Sequence, residues 1–96
     1  MYAKDILDRA ERLLAACRQA GQTVAFAESC SGGLIGGALT EIAGSSDVVI
    51  GGFVVYANSA KQHFLGVDRE LLANRGAVDE AVARAMAEGA RERSRA

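Results

Sequence analysis

Cysteine, histidine, tryptophan and proline are scarce or absent in this chain of 96 residues. It has no tryptophan, and it has no proline beside eleven glycines, which is unusual. Its two cysteines, Cys17 and Cys30, are too few for a disulfide framework or a zinc site. The cysteine content therefore favours a reduced protein of the cytoplasm.

Strong net charge and long apolar runs are also missing. The formal net charge is −1, which gives no electrostatic reason to expect DNA, RNA or an anionic membrane as a partner. The longest apolar run, near residues 48–57, is broken by glycines and is too short for a membrane span. The charged N-terminus contains no signal-peptide core. We therefore expect a cytoplasmic protein that binds neither nucleic acid nor membrane.

The overall composition is typical of a folded domain. Half of the residues are hydrophobic and 24% are charged, which does not fit a disordered segment. A chain of 96 residues has room for one hydrophobic core. We therefore expect a single domain over residues 1–96.

Hydrophobic periodicity predicts helices and strands in alternation, and hence an α/β fold. The predicted strands cover residues 23–27 and 48–57. The predicted helices cover residues 5–20, 34–42 and 68–73, with a short helix after Asn58 and a last helix after Asp79. Asn58 and Asp79 are each expected to cap the helix that follows.

Two of the predicted helices carry an apolar stripe that we expect to face a core. The stripe of the first helix consists of Ile6, Ala10, Leu13, Leu14 and Cys17. The stripe of the last helix consists of Val82, Ala85, Met86, Gly89 and Ala90.

The second predicted strand is apolar on both faces. Such a strand belongs inside a sheet covered by helices on each side, which predicts three layers. Only two strands are predicted, however, whereas sheets contain about four to six. The chain therefore looks like part of a larger fold, or like one that completes itself by association. Its uncovered sheet edge predicts an oligomer rather than a monomer.

Residues 28–33, of sequence ESCSGG, join the first strand to the second helix. A tight turn at the carboxyl end of a strand displays a side chain where α/β folds bind ligands. By analogy with a nucleophile elbow, that side chain is Ser29 or Cys30. The glycines let the backbone approach a substrate, and the next helix offers N–H groups to a phosphate or an oxyanion.

A purely structural role for this turn is the alternative. Ser29 and Ser31 would then cap the helix, and the two glycines would serve close packing. Cys30 is better interpreted as a small buried hydrophobe, because a catalytic cysteine usually needs a histidine. The one histidine, His63, lies on a surface-like stretch.

A serine nucleophile needs a base, and Lys61 is the candidate. It follows the long strand, so it faces the turn if the two strands are neighbours. Partial burial among apolar neighbours would favour its neutral form. Tyr56, at the end of the strand, could hydrogen-bond the Ser–Lys pair. The alternatives are a solvated lysine on a helix surface and a tyrosine in the core.

Several motifs along the chain together resemble one known family. They are AESCSGG at residues 27–33, AGSS at 43–46, GFVVYAN at 52–58 with Lys61 three positions on, LGV at 65–67, GAV at 76–78 and ARAMAEGA at 83–90. In this order they resemble the CinA C-terminal domain, the nicotinamide-nucleotide amidase family. The resemblance implies a three-layer α/β/α sandwich that often self-associates.

The resemblance also implies an activity, which is hydrolysis of the carboxamide of nicotinamide mononucleotide to nicotinate mononucleotide and ammonia, with no metal and no cofactor. In the implied acyl transfer Lys61 deprotonates Ser29, which attacks the carboxamide while amides of the turn hold the oxyanion. The motif A-E-S-C-[S/T]-G-G places this nucleophile at Ser29, with Ser31 as the alternative. Together with the motif Y-x-N-x-x-K, it implies the catalytic residues Ser29, Lys61 and Tyr56. The implied substrate-binding residues are Glu28, Cys30, Ser31, Gly32, Gly33 and Asn58.

The chain departs from the family after its last predicted helix. Family domains continue into further strands and a T-G-x-A-G-P loop with a downstream arginine, whereas this chain ends at Ala96 and has no proline. We therefore expect a truncated sandwich that lacks the second half of the family domain, and also the molybdopterin-binding-like domain that often precedes it. A catalytically inactive nucleotide-binding or self-assembly module is the alternative function. A redox or acyl-transfer role for Cys30 is a weaker third, since no second cysteine lies nearby.

Overall fold

The computed structural model describes every residue from Met1 to Ala96. The helices are α1 (Lys4–Ala20), α2 (Leu34–Glu41), α3 (Asn58–Leu65), α4 (Arg69–Arg75) and α5 (Glu80–Ser94). The strands are β1 (Val24–Glu28) and β2 (Val49–Val54), and a short 3-10 helix, Ser45–Asp47, precedes β2. The predicted α/β class is confirmed, and each predicted helix and strand is present with its ends moved by a few residues. None of the helices combines the length and the hydropathy that a membrane crossing requires.

The two strands form one parallel sheet. Phe26 pairs with Gly52 and Glu28 pairs with Val54, so both strands end at the same edge. The register shifts near the start of β1, where Ile50 is an extra residue in β2. Parallel strands need a crossover connection, and here the segment that contains α2 supplies it. As a result, the residues after β1 lie beside those after β2. The expectation that the two strands are neighbours is confirmed.

Helices lie on both sides of the sheet, which confirms the predicted three-layer sandwich. Helix α5 packs on one face with α3 and α4 beside it, around a cluster of Val55, Leu65, Val67, Leu72, Val82, Met86 and Ala90. Helices α1 and α2 pack on the other face, around Ala10, Leu14, Leu39 and Val48. The predicted stripe of the last helix is confirmed, since four of its members are buried and the fifth, Ala85, packs against the same cluster.

The approach of α3 to α5 depends on Gly89. A Cβ atom at this position would overlap the carbonyl oxygen of Leu65. Only glycine therefore lets the end of α3 approach α5 this closely. The contact holds the buried side of α3, which carries Lys61 and Leu65, against the core.

Two apolar surfaces that the sequence predicts to be buried are exposed. Ile6 is 44% exposed and Leu13 is 46% exposed, along an open groove between α1 and α2. Ile50 and Val54 in β2 are each 56% exposed. The expectation that β2 is covered on both faces is therefore wrong. Helices α1 and α2 pack around the start of β2 and leave these two side chains uncovered.

Candidate functional site

The turn between β1 and α2 contains two glycines in left-handed conformations. Gly32 has a φ of 61° and Gly33 a φ of 105°, which glycine adopts without strain. Apart from the adjoining residues of the chain, no atom lies within 4 Å of the place where a Cβ would stand at either position. The alternative that these glycines serve close packing is therefore wrong, because the conformation of the backbone requires them.

Glu28 is buried at the start of this turn and is 2% exposed. Its Oε1 accepts hydrogen bonds from Ser31 Oγ at 2.8 Å, Gly33 N at 3.1 Å and Ile35 N at 2.9 Å, and its Oε2 accepts from Gly36 N at 2.7 Å. Burial by itself raises the pKa of a carboxyl group, but these four hydrogen bonds outweigh it. The pKa of Glu28 therefore lies below its ordinary value of 4.5.

These hydrogen bonds use up the first amides of α2. Between them, the amide of Leu34 donates to the carbonyl of Ser31 at 3.1 Å, and the amide of Gly37 donates to the carbonyl of Gly33 at 2.9 Å. The prediction that the start of this helix is open to a phosphate or an oxyanion is therefore wrong. The carboxylate of Glu28 already occupies that position.

The earlier amides of the turn remain available. The backbone N–H groups of Ser29, Cys30 and Ser31 donate no hydrogen bond within the chain. They are the donors that this turn can offer to a developing oxyanion. The alternative that Ser29 and Ser31 cap α2 is wrong, because the N-cap residue is Gly33 and Ser31 donates its hydroxyl to Glu28.

A cleft of about 420 Å³ opens beside the turn. The turn forms one wall, and the loop before α5 with the first part of that helix forms the other, from Ala77 to Met86. Ser29 is half-buried on this cleft, and its hydroxyl makes no hydrogen bond within the chain. Cys30 also lines the cleft and is exposed, so its interpretation as a buried hydrophobe is wrong.

The charged side chains that line the cleft are acidic. Asp79 accepts hydrogen bonds from Ala81 N at 2.8 Å and Val82 N at 3.3 Å, so it caps α5 as predicted. Glu80 forms an ion pair with Arg84 at 2.9 Å. No lysine or arginine lines the cleft. Among the residues described, a substrate phosphate therefore finds no cationic side chain in it.

Lys61 is the other unusual side chain near this edge of the sheet. It is 0% exposed, and its Nζ has no hydrogen-bond partner. The alternative of a solvated lysine on a helix surface is therefore wrong. No hydrogen bond joins the amine to Ser29, so the predicted Ser–Lys pair stays a prediction.

Three polar side chains that follow β2 in the chain, those of Tyr56, Asn58 and His63, are all exposed. Tyr56 is 80% exposed, which excludes the alternative of a tyrosine in the core. Asn58 is exposed and is the first residue of α3, whereas the N-cap is Ala57, which makes no side-chain cap. The predicted capping by Asn58 is therefore wrong. His63 is exposed on the same helix, as expected.

Two parts of the site escaped the reasoning from sequence. The wall formed by the start of α5 lies far from the turn along the chain, and the lining residues that the motifs at 76–78 and 83–90 supply to it are all apolar. The role of Glu28 did have a signal, because a carboxylate at the end of a buried strand must find donors and the next helix supplies the nearest ones. No group of three or more His, Cys, Asp and Glu side chains is arranged to hold a metal ion.

Comparison with known proteins finds one family. The profile of the CinA C-terminal domain matches residues 7–96. A CinA-like protein of Synechococcus sp. (strain CC9902) is 50% identical over 92 residues, which cover 96% of this chain and 22% of that protein. The crystal structure of the competence/damage inducible protein CihA from Agrobacterium tumefaciens is 52% identical with a TM-score of 0.93, over 100% of this chain and 58% of that chain. A CinA superfamily protein from Escherichia coli is 32% identical with a TM-score of 0.90, over 100% of this chain and 57% of that chain.

The chain thus spans 22% of the length of the curated relative and 58% of the length of the Agrobacterium structure. Within that span the sequence match runs from α1 to the C-terminus, and both solved structures share the fold. The resemblance of the motifs is confirmed, and the chain belongs to the CinA C-terminal domain family.

Proposed function

We propose that this chain, with residues 1–96 as one domain, hydrolyses the carboxamide of nicotinamide mononucleotide to nicotinate mononucleotide and ammonia. Membership of the family supports a CinA-type function. The observation that carries the proposal is Lys61, a fully buried lysine whose amine has no hydrogen-bond partner. Burial of such a group without a partner destabilises a fold, which supports a chemical role for it.

Ser29 is the nucleophile in this proposal. Its hydroxyl is free of internal hydrogen bonds and lies on the cleft, where a substrate can reach it. The hydroxyl of Ser31 donates to Glu28 at 2.8 Å and is committed to that bond. These two environments favour Ser29 over Ser31.

The reaction is an acyl transfer in two steps. The amine of Lys61, as the general base, takes the proton of the Ser29 hydroxyl as Oγ attacks the carboxamide carbon. The free amides of residues 29–31 stabilise the oxyanion, and the ammonium of Lys61 returns the proton to the leaving nitrogen, which departs as ammonia. Water then attacks the ester, releasing the carboxylate product and restoring the hydroxyl of Ser29.

Tyr56 and Asn58 contact the substrate in this proposal rather than the Ser–Lys pair. Both follow β2 at the edge of the sheet where β1 also ends, and both side chains are exposed. The structure gives neither side chain a hydrogen bond within the chain, so each is free to bind a ligand.

An inactive module that binds nucleotide or assembles with itself is the second candidate. The exposed Ile50 and Val54 favour self-association, and the absence of a cationic side chain in the cleft disfavours binding of a nucleotide phosphate by this chain alone. The amidase and the module differ in one respect, which is that only the amidase needs a reactive Ser29.

Release of ammonia from nicotinamide mononucleotide tests the proposal. The parent chain is expected to release it, Ser29→Ala to abolish release, and Ser31→Ala to retain a measurable rate. Ser46→Ala, an exposed serine outside the cleft, serves as the matched control and should behave as the parent does. A folded parent that releases no ammonia, or a fully active Ser29→Ala variant, would contradict the proposal.

A further inference from the structure

Glu28 connects the strand that ends at the turn to the helix that follows it. Its backbone carbonyl accepts a hydrogen bond from Val55 N at 2.9 Å, which holds the end of β1 to the residues after β2. Its carboxylate accepts from the hydroxyl of Ser31 and from three amides at the start of α2, at 2.7 to 3.1 Å. Ser29 is the next residue, so it directly follows a residue that is held through both its backbone and its side chain.

We propose that Glu28 is a positioning residue for Ser29 and that it closes the start of α2 to substrate anions. The positioning role rests on the proposed function, because the amidase reaction needs Ser29 as its nucleophile. Within the turn itself, Gly32 N donates to the carbonyl of Ser29 at 3.2 Å and Leu34 N donates to that of Ser31 at 3.1 Å, whereas the amides of residues 29–31 bond to nothing in the chain. The carboxylate of Glu28 adds the only side-chain restraint on the turn, with four hydrogen bonds that tie it to α2, and so helps to keep the hydroxyl of Ser29 in one place.

The same contact orients the substrate. A buried carboxylate already compensates the positive end of the α2 dipole, so a second anion there would be repelled. The phosphate of a nucleotide must then bind away from α2. The free amides of residues 29–31 are left for the carboxamide oxygen at the other end of the molecule.

Three variants of the chain test the positioning role. Glu28→Ala removes the acceptor, and Glu28→Gln keeps one oxygen acceptor in the same volume. Asp68→Ala is the matched control, because Asp68 caps α4 in the same way, accepting from Glu70 N at 2.8 Å, but lies outside the cleft. The measurements are kcat and KM for ammonia release, thermal unfolding, and amide hydrogen exchange at Gly33 and Ile35.

Displacement of a reacting group by about 1 Å can lower a rate by about 10²-fold, so we expect Glu28→Ala to lower kcat by roughly that factor with little change in KM. Glu28→Gln should lose less, about tenfold, because an acceptor remains. If Glu28→Ala does not fold, Glu28→Gln carries the test. Asp68→Ala should unfold at a lower temperature but keep the parental kcat.

Unchanged kcat in the Glu28 variants of an active parent would overturn the positioning role and leave the amidase standing. A parent that releases no ammonia would overturn the proposed amidase activity instead. Amide exchange would then decide whether Glu28 positions the turn. Faster exchange at Gly33 and Ile35 in Glu28→Gln, but not in Asp68→Ala, supports the positioning of the turn, and equal exchange overturns it. Added inorganic phosphate should not shift the amide signals of Gly33 and Ile35 in the parent. A saturable shift would overturn the closure of α2.

Discussion

At the scale of single residues, Lys61 and Ser29 are both without internal hydrogen bonds, but for different reasons. Ser29 is half-buried on a cleft, where water or substrate can satisfy its hydroxyl. Lys61 is sealed from solvent, so nothing in the chain satisfies its amine. An amine buried without a partner is costly to the fold, and an amine is the kind of group that a serine nucleophile needs as its base.

Replacement of Lys61 should therefore separate stability from activity. Lys61→Met keeps an unbranched apolar stem and removes the amine, so we expect the free energy of unfolding to rise by about 1–3 kcal/mol, the usual penalty of an unsatisfied buried polar group. Ammonia release should be lost at the same time. Urea unfolding and the ammonia assay measure the two effects.

Lys4→Met is the control for this substitution, because Lys4 is an exposed lysine that pairs with Asp8 at 2.9 Å on the surface of α1. It should change the free energy of unfolding by less than about 0.5 kcal/mol and leave activity intact. A Lys61→Met variant that is less stable than the parent would indicate that the amine has a partner, and would weaken its assignment as the base.

At the scale of elements, the start of α2 is stabilised by an internal carboxylate rather than by a capping side chain at its N-cap. Burial of Glu28 opposes ionisation, but the hydrogen bonds from Gly36, Ile35, Ser31 and Gly33 place the pKa of its carboxyl below 4.5. A carboxylate whose pKa is lowered by folding stabilises the fold above its unfolded pKa. That stabilisation is lost as the pH falls through the folded value.

The stability of the chain should therefore depend on Glu28 in acid. The difference in free energy of unfolding between the parent and Glu28→Gln should be constant above about pH 5 and should shrink as the pH falls below the ordinary value of 4.5. Urea unfolding of both proteins between neutral and acid pH measures it. Hydrogen bonds from Arg18 and Arg91 lower the pKa values of Asp47 and Glu88. Both carboxyl groups are present in both proteins, so their contributions to the difference in free energy of unfolding cancel. A difference that is independent of pH would contradict this account of the turn.

At the scale of the whole molecule, the sandwich has three layers but a sheet of only two strands. Helix α5 covers one face of both strands, while Ile50 and Val54 on β2 remain half-exposed. A parallel sheet normally has both faces covered, and exposed apolar strands tend to associate. The fold therefore presents an apolar strand surface that another chain can cover.

We expect the chain to associate with itself at micromolar concentration through this surface. Sedimentation velocity of the parent should give a mass above that of the monomer. The double substitution Ile50→Lys and Val54→Lys should restore the monomer, because charged side chains on an edge strand oppose pairing. Leu13→Lys, in the groove between α1 and α2, is the control and should remain associated. A folded parent that sediments as a monomer would contradict the prediction.

Much of the fold and part of the site could be predicted from sequence. The apolar stripe of α5 and the cap at Asp79 were correct, because both depend on side chains close together in the chain. The stripe of α1 was only half correct, since Ile6 and Leu13 follow the same period but no partner covers them. The exposure of Cys30 was missed for a similar reason, because its residue type favours burial while its place in the turn does not.

The sequence by itself determined the order of helices and strands, the three-layer class and the family, because periodicity, turn residues and motifs are local properties of the chain. Only the tertiary structure decided that Glu28 occupies the start of α2, that Lys61 is sealed without a partner, and that one face of β2 stays open. Each of these depends on which segments pack together and how closely. Hydrophobic patterning indicates which side chains prefer burial, but the burial and the hydrogen bonds of a polar group are set by neighbours that the fold brings from elsewhere in the chain.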